Sequence, residues 1–445
     1  MSGYNHNRDR DKAVADTIFP GSNELKRDSR GDFLGHEHNV AICLKGTLGS
    51  FLAYNLLTHE ACYLAHPPWH DKEQDGEDIP RIDDYQIDKL VKWVQKHHIP
   101  TRRGIVEEGL DSVARECCSF HPVQQYFDSL TWDNVPRVDS FFHTELGAED
   151  SDYTRLASRI LLTSIAARVY EPGCKVDTCI VLVGTQGTLK STAIKAMAIR
   201  EGWYADGIGA DGRIDAQACL AFGPKLITEL GDIDQYMAGS TGRRLKSLIT
   251  RQVDIFKRPY GRKMTEQPRG CIFIGSTNSS YFLRDPTGNR RFIPVRCWTR
   301  RNFTVNVNSL SRQWPQYLAE AVYLYRNEVA WYPVDQDERD LLESRAKEHS
   351  VPSRFDLAID EYLFGSSIIP GQRMESVTVD NIILFIAGSE RWKGLFTDPR
   401  LPKYIPSRLH DLGYEEHRQS NGSGRRERNG RLQRESSWNL RGENA

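Results

Sequence analysis

The feature that most constrains this 445-residue chain is the stretch Gly184-Thr-Gln-Gly187-Thr-Leu-Lys190-Ser191-Thr192, set between an apolar run and a helical pattern. The run before it, Cys179-Ile-Val-Leu-Val183, has the length and branched content of a buried strand. The segment after it, Lys190 to Arg200, reads as a helix. A strand that enters a helix through a glycine-containing loop aims successive backbone N–H groups, and the positive end of the helix dipole, at one spot. Such a spot suits phosphate. A lysine then reaches the outer phosphate oxygens, and a hydroxyl holds Mg²⁺. Lys190 and Ser191 occupy those two places, and Gly184, Thr185, Gln186, Gly187, Thr188, Leu189 and Thr192 complete the cradle. Leu189 departs from the pattern, which has its second glycine there. The bland alternative is an ordinary glycine-rich strand-to-helix turn.

Two more apolar runs lie further along, Leu226-Ile-Thr-Glu-Leu230 and Cys271-Ile-Phe-Ile-Gly275. Buried strands alternating with helices predict a parallel sheet covered on both faces. The first run carries Glu229 and Asp232 at its end, where sites form in α/β sheets. One acid would orient the attacking water and the other would complete the Mg²⁺ shell; spacing does not say which. The second run ends in Asn278, an amide suited to sensing a terminal phosphate. Each signal has a plainer reading: acids opening a helix, an asparagine capping a turn. The order loop, acids, amide is much less expected by chance than any one of them.

Two arginines, Arg290 and Arg291, lie in a turn just past Asn278 and suit an arginine finger offered to a neighbouring subunit; Arg251, after another helix, is a second candidate. Their plain reading is a surface ion pair, which contributes little. Between acids and amide, Lys257, Arg258, Arg262 and Lys263 flank Tyr260 and Gly261, which predicts a basic hairpin. Such cations neutralise nucleic-acid phosphates while the aromatic stacks on a base. A hairpin that merely aids solubility is the alternative.

Net charge is −1, so overall charge does not mark a nucleic-acid binder. Its distribution says more: seven arginines lie between Arg418 and Arg441, among them Arg425, Arg426 and Arg428, against Glu427 and Glu435. Polyanions are the obvious partner for that end, and a solvated tail the plain one. The nine cysteines are scattered, with no CxxC, which predicts reduced thiols and a cytoplasmic protein without a zinc ribbon. No run of 18 apolar residues exists and the N-terminus is polar, so no membrane is expected. The expected layout is a disordered or extended arm over 1–32, a mainly helical domain over 33–150, and an α/β core over 151–310. A helical segment over 311–370 comes next, then a small basic domain over 371–445 whose helix, helix, hairpin order suits a winged helix.

With these residues in view, the chain resembles the virulence-associated protein E family, whose ATPase core is related to superfamily-three helicases and phage primase-helicases. The resembling residues include His121-Pro-Val, Trp132-Asp133, Val135-Pro-Arg137, Pro172-Gly173, Lys175 and Asp177. They continue with Gly184 to Thr192, Glu229-Leu-Gly-Asp232, Lys246 to Arg251, Arg258-Pro-Tyr-Gly-Arg262, Thr277-Asn278 and Asp285 to Phe292. The resemblance covers roughly residues 115 to 330 and is specific in combination. It implies a P-loop NTPase core of AAA+ or superfamily-three type, ATP and Mg²⁺ as cofactors, and a prophage or mobile-element replication protein. It also implies a homo-hexameric ring with ATP between subunits, acting on single-stranded or forked DNA. Lys190 and Ser191 look like the Walker A pair, Glu229 and Asp232 like Walker B, Asn278 like sensor 1, and Arg290 or Arg291 like the finger. Longer relatives carry a primase domain upstream. No acidic pair with a zinc module stands out here, so no primase activity is expected and a separate primase is a further partner. A slow P-loop initiator or loader that never unwinds, and a DNA-binding module with a decayed site, are the alternatives.

Overall fold

The computed structural model describes residues 24–70, 78–207, 216–257, 264–284, 288–299, 303–365, 374–418, 425–428, 431–434 and 436–440. The chain divides into two units, Met1–His349 and Ser350–Ala445.

The first unit begins with α1 (Glu37–Leu48), β1 (Leu52–Asn55), β2 (Glu60–Tyr63), α2 (Asp84–Lys96), α3 (Arg103–Cys117) and β3 (Ser119–Phe120). The expected helices are joined by a sheet of order β2-β1-β3, with β1 antiparallel to β2 and parallel to β3. Strands of four residues or fewer are too short for a two-residue period to register in sequence. Val40, Leu44, Leu90, Val94, Val106 and Leu110 close this core. The arm expected through residue 32 is packed from residue 24 on. Leu25 and Phe33 are buried, and the buried Asn39 side chain accepts from Lys26 N (2.8 Å) and donates to Lys26 O (2.8 Å) and Leu34 O (2.9 Å). A buried amide with all these bonds made is a specific anchor that composition does not reveal. Residues 1–23 of that expectation lie outside the described residues.

The chain continues through α4 (Pro122–Asp128), α5 (Phe141–Leu146), α6 (Asp152–Tyr170), β4 (Cys179–Val183), α7 (Lys190–Met197), β5 (Tyr204–Asp206), α8 (Ala216–Phe222) and β6 (Ile227–Leu230). Then come α9 (Gly239–Thr250), the hairpin β7 (Val253–Lys257) and β8 (Met264–Pro268), β9 (Ile272–Thr277), β10 (Phe292–Arg296), α10 (Val307–Arg326) and α11 (Gln336–Glu348). Five of these strands form one parallel sheet of order β10-β4-β9-β6-β5. Alternate residues of β4 divide between its faces. Ile180 and Leu182 pack in the cluster that holds residues of α6, α7 and α10. Cys179, Val181 and Val183 pack with residues of α8 and α9 on the other face. Double coverage explains why the strands read as unbroken apolar runs. Each such side chain contributes about 1.5–3 kcal/mol by leaving water.

Helix α6 starts on a capping box in which Ser151 and Thr154 satisfy each other's backbone N–H groups, and nearly all of it is buried. Residues 123–148, grouped by sequence with the N-terminal part, pack in the same cluster as the sheet, together with Trp314 and Tyr317 of α10 and Leu342 of α11. One cause is Glu320 of α10, whose Oε2 accepts from Arg137 N (2.6 Å) and Val138 N (3.0 Å). On β10, Pro294 occupies an edge strand, where a missing N–H costs no ladder bond.

The second unit runs α12 (Arg354–Gly365), β11 (Ser376–Thr378), α13 (Val379–Gly388), α14 (Leu401–Asp411), β12 (Tyr414–Arg418), β13 (Arg425–Arg428), β14 (Arg431–Arg434) and β15 (Ser436–Leu440). Its antiparallel sheet has the order β11-β15-β12, with β13 and β14 as a separate ladder inserted before β15. Ile359, Ile382, Ile386, Ile405, Leu409 and Trp438 form its core. Among the described residues of the chain, no helix is long and apolar enough to cross a membrane. All nine cysteines are unbridged.

Candidate active site

Strand β4 ends at Val183, and residues 184–189 turn the chain into α7. Two residues of that turn sit in the left-handed region, Gly187 at φ +81° and Leu189 at φ +62°. The second explains why the usual pattern has glycine at that place, since a left-handed L-residue costs about 1–2 kcal/mol. Gly184 is required for space: a Cβ there would come within 2.6 Å of the Trp298 ring. Thr185, Gln186, Gly187, Leu189, Ser191 and Thr192 are exposed, and Thr188 is half-buried with its Oγ1 donating to Thr185 O at 2.8 Å.

Leu189→Gly is expected to stabilise the chain by about 0.5–1 kcal/mol. Relief of the left-handed strain outweighs the extra unfolded-state entropy of glycine, about 0.5–1 kcal/mol, and this exposed side chain gives up little packing. Urea unfolding of the two proteins measures it, and a less stable variant would refute the strain argument.

Lys190 Nζ donates to Gly184 O (2.9 Å), Thr185 O (2.9 Å) and Asn278 Oδ1 (2.7 Å). All three acceptors are neutral. Burial holds this ammonium below the ordinary lysine range, partly offset by Cys297, Asp232 and Glu229. An ammonium that meets no carboxylate directly among the described residues is ready for an anionic ligand.

Ser191 Oγ donates to Glu229 Oε1 at 2.7 Å, and Ser276 Oγ donates to the same oxygen at 2.8 Å. Tyr204 OH donates to Glu229 Oε2 at 2.6 Å. Glu229 is 1% exposed, so three hydroxyls replace its water shell. Burial, then the Glu229 bond, push the Tyr204 phenol well above its usual range, so it stays a donor. Asp232 comes next in a left-handed turn at φ +45°, exposed, and close enough to Lys190 to act on its charge. Next to Asn278, Thr277 Oγ1 donates to Asp234 Oδ1 (2.8 Å) and accepts from Ser279 N (3.0 Å), which braces the strand end.

The sheet therefore gathers Lys190, Ser191, Glu229 and Asn278 where the adjacent strands β4, β9 and β6 end. It keeps the arginines away from them. Arg290 and Arg291 precede β10, whose first residue Phe292 pairs with Cys179 at the start of β4. They stand at the opposite edge of the sheet, roughly 16 Å from the loop for five residues of strand. Arg251 caps α9 beside the root of β7, where Gln252 O accepts from Arg269 N and Arg269 O accepts from Gly173 N, ahead of β4. Lys257 is exposed at the end of β7, opposite Met264. Arg258, Tyr260, Arg262 and Lys263 lie outside the described residues; Arg425, Arg426 and Arg428 fall on β13, with side chains outside them too.

Sequence reading had no role for Tyr204, Ser276, Asp234 or Trp298. Ser276 was within reach, because it is two residues before Asn278 and a strand repeats its faces every second residue. Tyr204, on a three-residue strand, and Trp298, on a loop, leave no periodic trace. Among the described residues no three His, Cys, Asp or Glu side chains form a metal site by themselves. The donor set present, one hydroxyl and two nearby carboxylates, fits a hard ion that arrives with phosphate oxygens of its own.

Comparison with solved structures finds the apo structure of NrS-1 C terminal region (305-718), 12% identical, covering 87% of this chain and 95% of that one, with a TM-score of 0.45. The A form apo structure of NrS-1 C terminal region-CTR is 13% identical, covering 88% and 96%, with a TM-score of 0.45. No curated protein matches the chain. A family model of the virulence-associated protein E-like domain matches residues 127–351, a span that takes in α6, the parallel sheet, the loop and both acids, and the chain belongs to that family.

Proposed function

We propose that the chain is a Mg²⁺-dependent ATPase of P-loop type that powers a DNA helicase or translocase in the replication of a prophage or mobile element. The observation that carries this reading is the meeting of Lys190, Ser191, Glu229 and Asn278 around one exposed loop. In it, Lys190 exchanges its neutral carbonyl partners for phosphate oxygens, which frees the Asn278 amide to sense the terminal phosphate. Glu229 orients the attacking water, held in place by Tyr204 and Ser276 when Ser191 turns away. Ser191, Glu229 and Asp232 are the groups that would hold Mg²⁺, which when bound neutralises charge developing on the phosphates. Glu229→Gln is expected to keep ATP binding within a few-fold while slowing hydrolysis roughly 10²–10³-fold. Wild-type turnover in that variant would remove Glu229 from the mechanism.

The distance of Arg290 and Arg291 from the loop supports an arginine finger given to a neighbouring subunit of a homo-hexameric ring, since neither serves its own site. Mixing Arg290→Ala or Arg291→Ala protein with Lys190→Ala protein tests this. Turnover recovered from two inactive chains is expected, and a mixture as inactive as its parts would argue against a shared site. The hairpin ending at Lys257, with Arg258, Tyr260, Arg262 and Lys263, is proposed to grip a single strand. The second unit's order of helix, strand, two helices, strand, hairpin and strand supports a winged helix, with Arg425, Arg426 and Arg428 on its wing.

That same topology favours the second reading, a P-loop initiator or loader that binds duplex DNA and never unwinds it. The deciding experiment measures ATPase rate with and without single-stranded DNA, strand displacement, and particle size with ATP present. Stimulation and displacement are expected. Stimulation without displacement selects the initiator, and no ATPase at all leaves a DNA-binding module.

A further inference from the structure

Asp232, one of the acids proposed to hold Mg²⁺, owes its place to its neighbours. Its side chain makes no cap bond to the short 3-10 turn that it opens, Ile233–Tyr236, and its backbone lies in the left-handed region at φ +45°. A residue held there keeps its place only where the surrounding structure over-determines it. The residues just after Asp232 supply that surrounding by gripping the adjacent strand β9.

The grip has an apolar and a polar part. Side chains alternate along a strand, so Ser276 turns to Glu229 while Gly275 and Thr277 turn to the opposite side. A Cβ on Gly275 would come within 2.8 Å of Cδ1 of the buried Ile233, so glycine lets the turn sit directly on the strand. Further along, the buried Thr277 accepts from Ser279 N at 3.0 Å and donates its proton to Asp234 Oδ1 at 2.8 Å. Within the turn, Gln235 N donates to Asp232 O (3.0 Å) and Met237 N to Asp234 O (3.3 Å), so a shift of Asp234 is passed on to Asp232. The other side of the link is Asn278, which follows Thr277 in the chain and accepts from Lys190 Nζ at 2.7 Å. One hydroxyl thus ties the segment that carries the amide to the turn that carries the acid.

We propose that Asp234 and Thr277 are positioning residues, which hold the Asp232 carboxylate and the Asn278 amide at one fixed spacing so that both address the same bound triphosphate. The proposal rests on the loop's reading as a triphosphate site, and its test separates the two. ATP affinity is measured by titration with Mg²⁺ and again in EDTA, alongside kcat. Thr277→Val keeps the shape of the side chain and loses the hydroxyl, and Asp234→Ala removes the acceptor at a half-buried turn position, where folding tolerates it. Each is expected to lower kcat roughly 10- to 100-fold and ATP affinity with Mg²⁺ about tenfold, while affinity in EDTA stays within about twofold. Thr277→Ser and Asp234→Asn, which keep the bond, are expected to stay within about threefold of the wild type throughout. Wild-type kcat and Mg²⁺-dependent affinity in a folded Thr277→Val or Asp234→Ala protein overturns the positioning role. So does an equal loss of affinity with Mg²⁺ and in EDTA, or a loss that Thr277→Ser and Asp234→Asn share; in each case the loop still stands. Failure of the wild type to bind ATP under either condition overturns both.

Discussion

Lys190→Ala is expected to lower ATP affinity and turnover together, by roughly 2–4 kcal/mol, or about 30- to 1,000-fold, while leaving the fold intact. The size comes from the bonds the ammonium makes to ligand. Under the proposed function, each of its bonds to Gly184 O, Thr185 O and Asn278 Oδ1 exchanges for a charge-assisted bond to a phosphate oxygen, the strong class of hydrogen bond. The intact fold comes from the bonds it makes without ligand. Its present partners are an exposed loop's carbonyls and an amide, so their loss leaves no buried charge unpaired. Isothermal titration with ATP and a thermal melt without it measure the two halves separately. A folded variant with wild-type affinity would refute the phosphate loop, and with it the motor.

The legibility of this site in sequence divides along a physical line. Strand β4 was readable because both faces are covered, so all its residues are apolar, and the loop because its glycines, Lys190 and Ser191 are close together in the chain. Glu229 and Asn278 could be aligned with the loop because parallel strands bring their ends to one edge, and the structure puts all three within hydrogen-bond reach. Strand order could not be read. That β9 separates β4 from β6 depends on crossovers and packing, which no local pattern encodes. The same gap hid the separation between the arginines and the loop, which emerges only from the register Phe292 to Cys179. Asn39 shows the other limit. One buried amide, bonded to two backbone segments, packs residues that composition reads as an arm.

Asp254→Ala is expected to destabilise the first unit by about 3–5 kcal/mol, the largest stability effect among these predictions. Asp254 and Arg269 face each other at the root of the β7–β8 hairpin, with the Asp254 side chain 5% exposed and that of Arg269 1%. Arg269 Nε donates to Asp254 Oδ2 at 2.9 Å, a second parallel bond joins Nη2 to Oδ1, and Nη1 donates to Leu248 O at the end of α9. Its guanidinium lies 5.4 Å from the Phe222 ring and 5.3 Å from Phe273, so it is enclosed by apolar surface. A second buried guanidinium, Arg168, donates to Arg269 O at 2.9 Å. Removing the carboxylate leaves positive charge with no counter-ion in a place water does not reach. That penalty, rather than any large attraction in the intact pair, sets the size. The double replacement Asp254→Leu with Arg269→Met removes both charges and is expected to recover most of the loss, which urea unfolding of the three proteins would show. Equal destabilisation by the single and double replacements would mean that the hairpin root depends on the shape and hydrogen bonds of Arg269, and that charge burial is not the cause. Under the proposed function the single variant also carries a functional signature. The hairpin that ends at Lys257 loses its anchor, so stimulation of the ATPase by single-stranded DNA is expected to fail at a urea concentration where the basal rate persists.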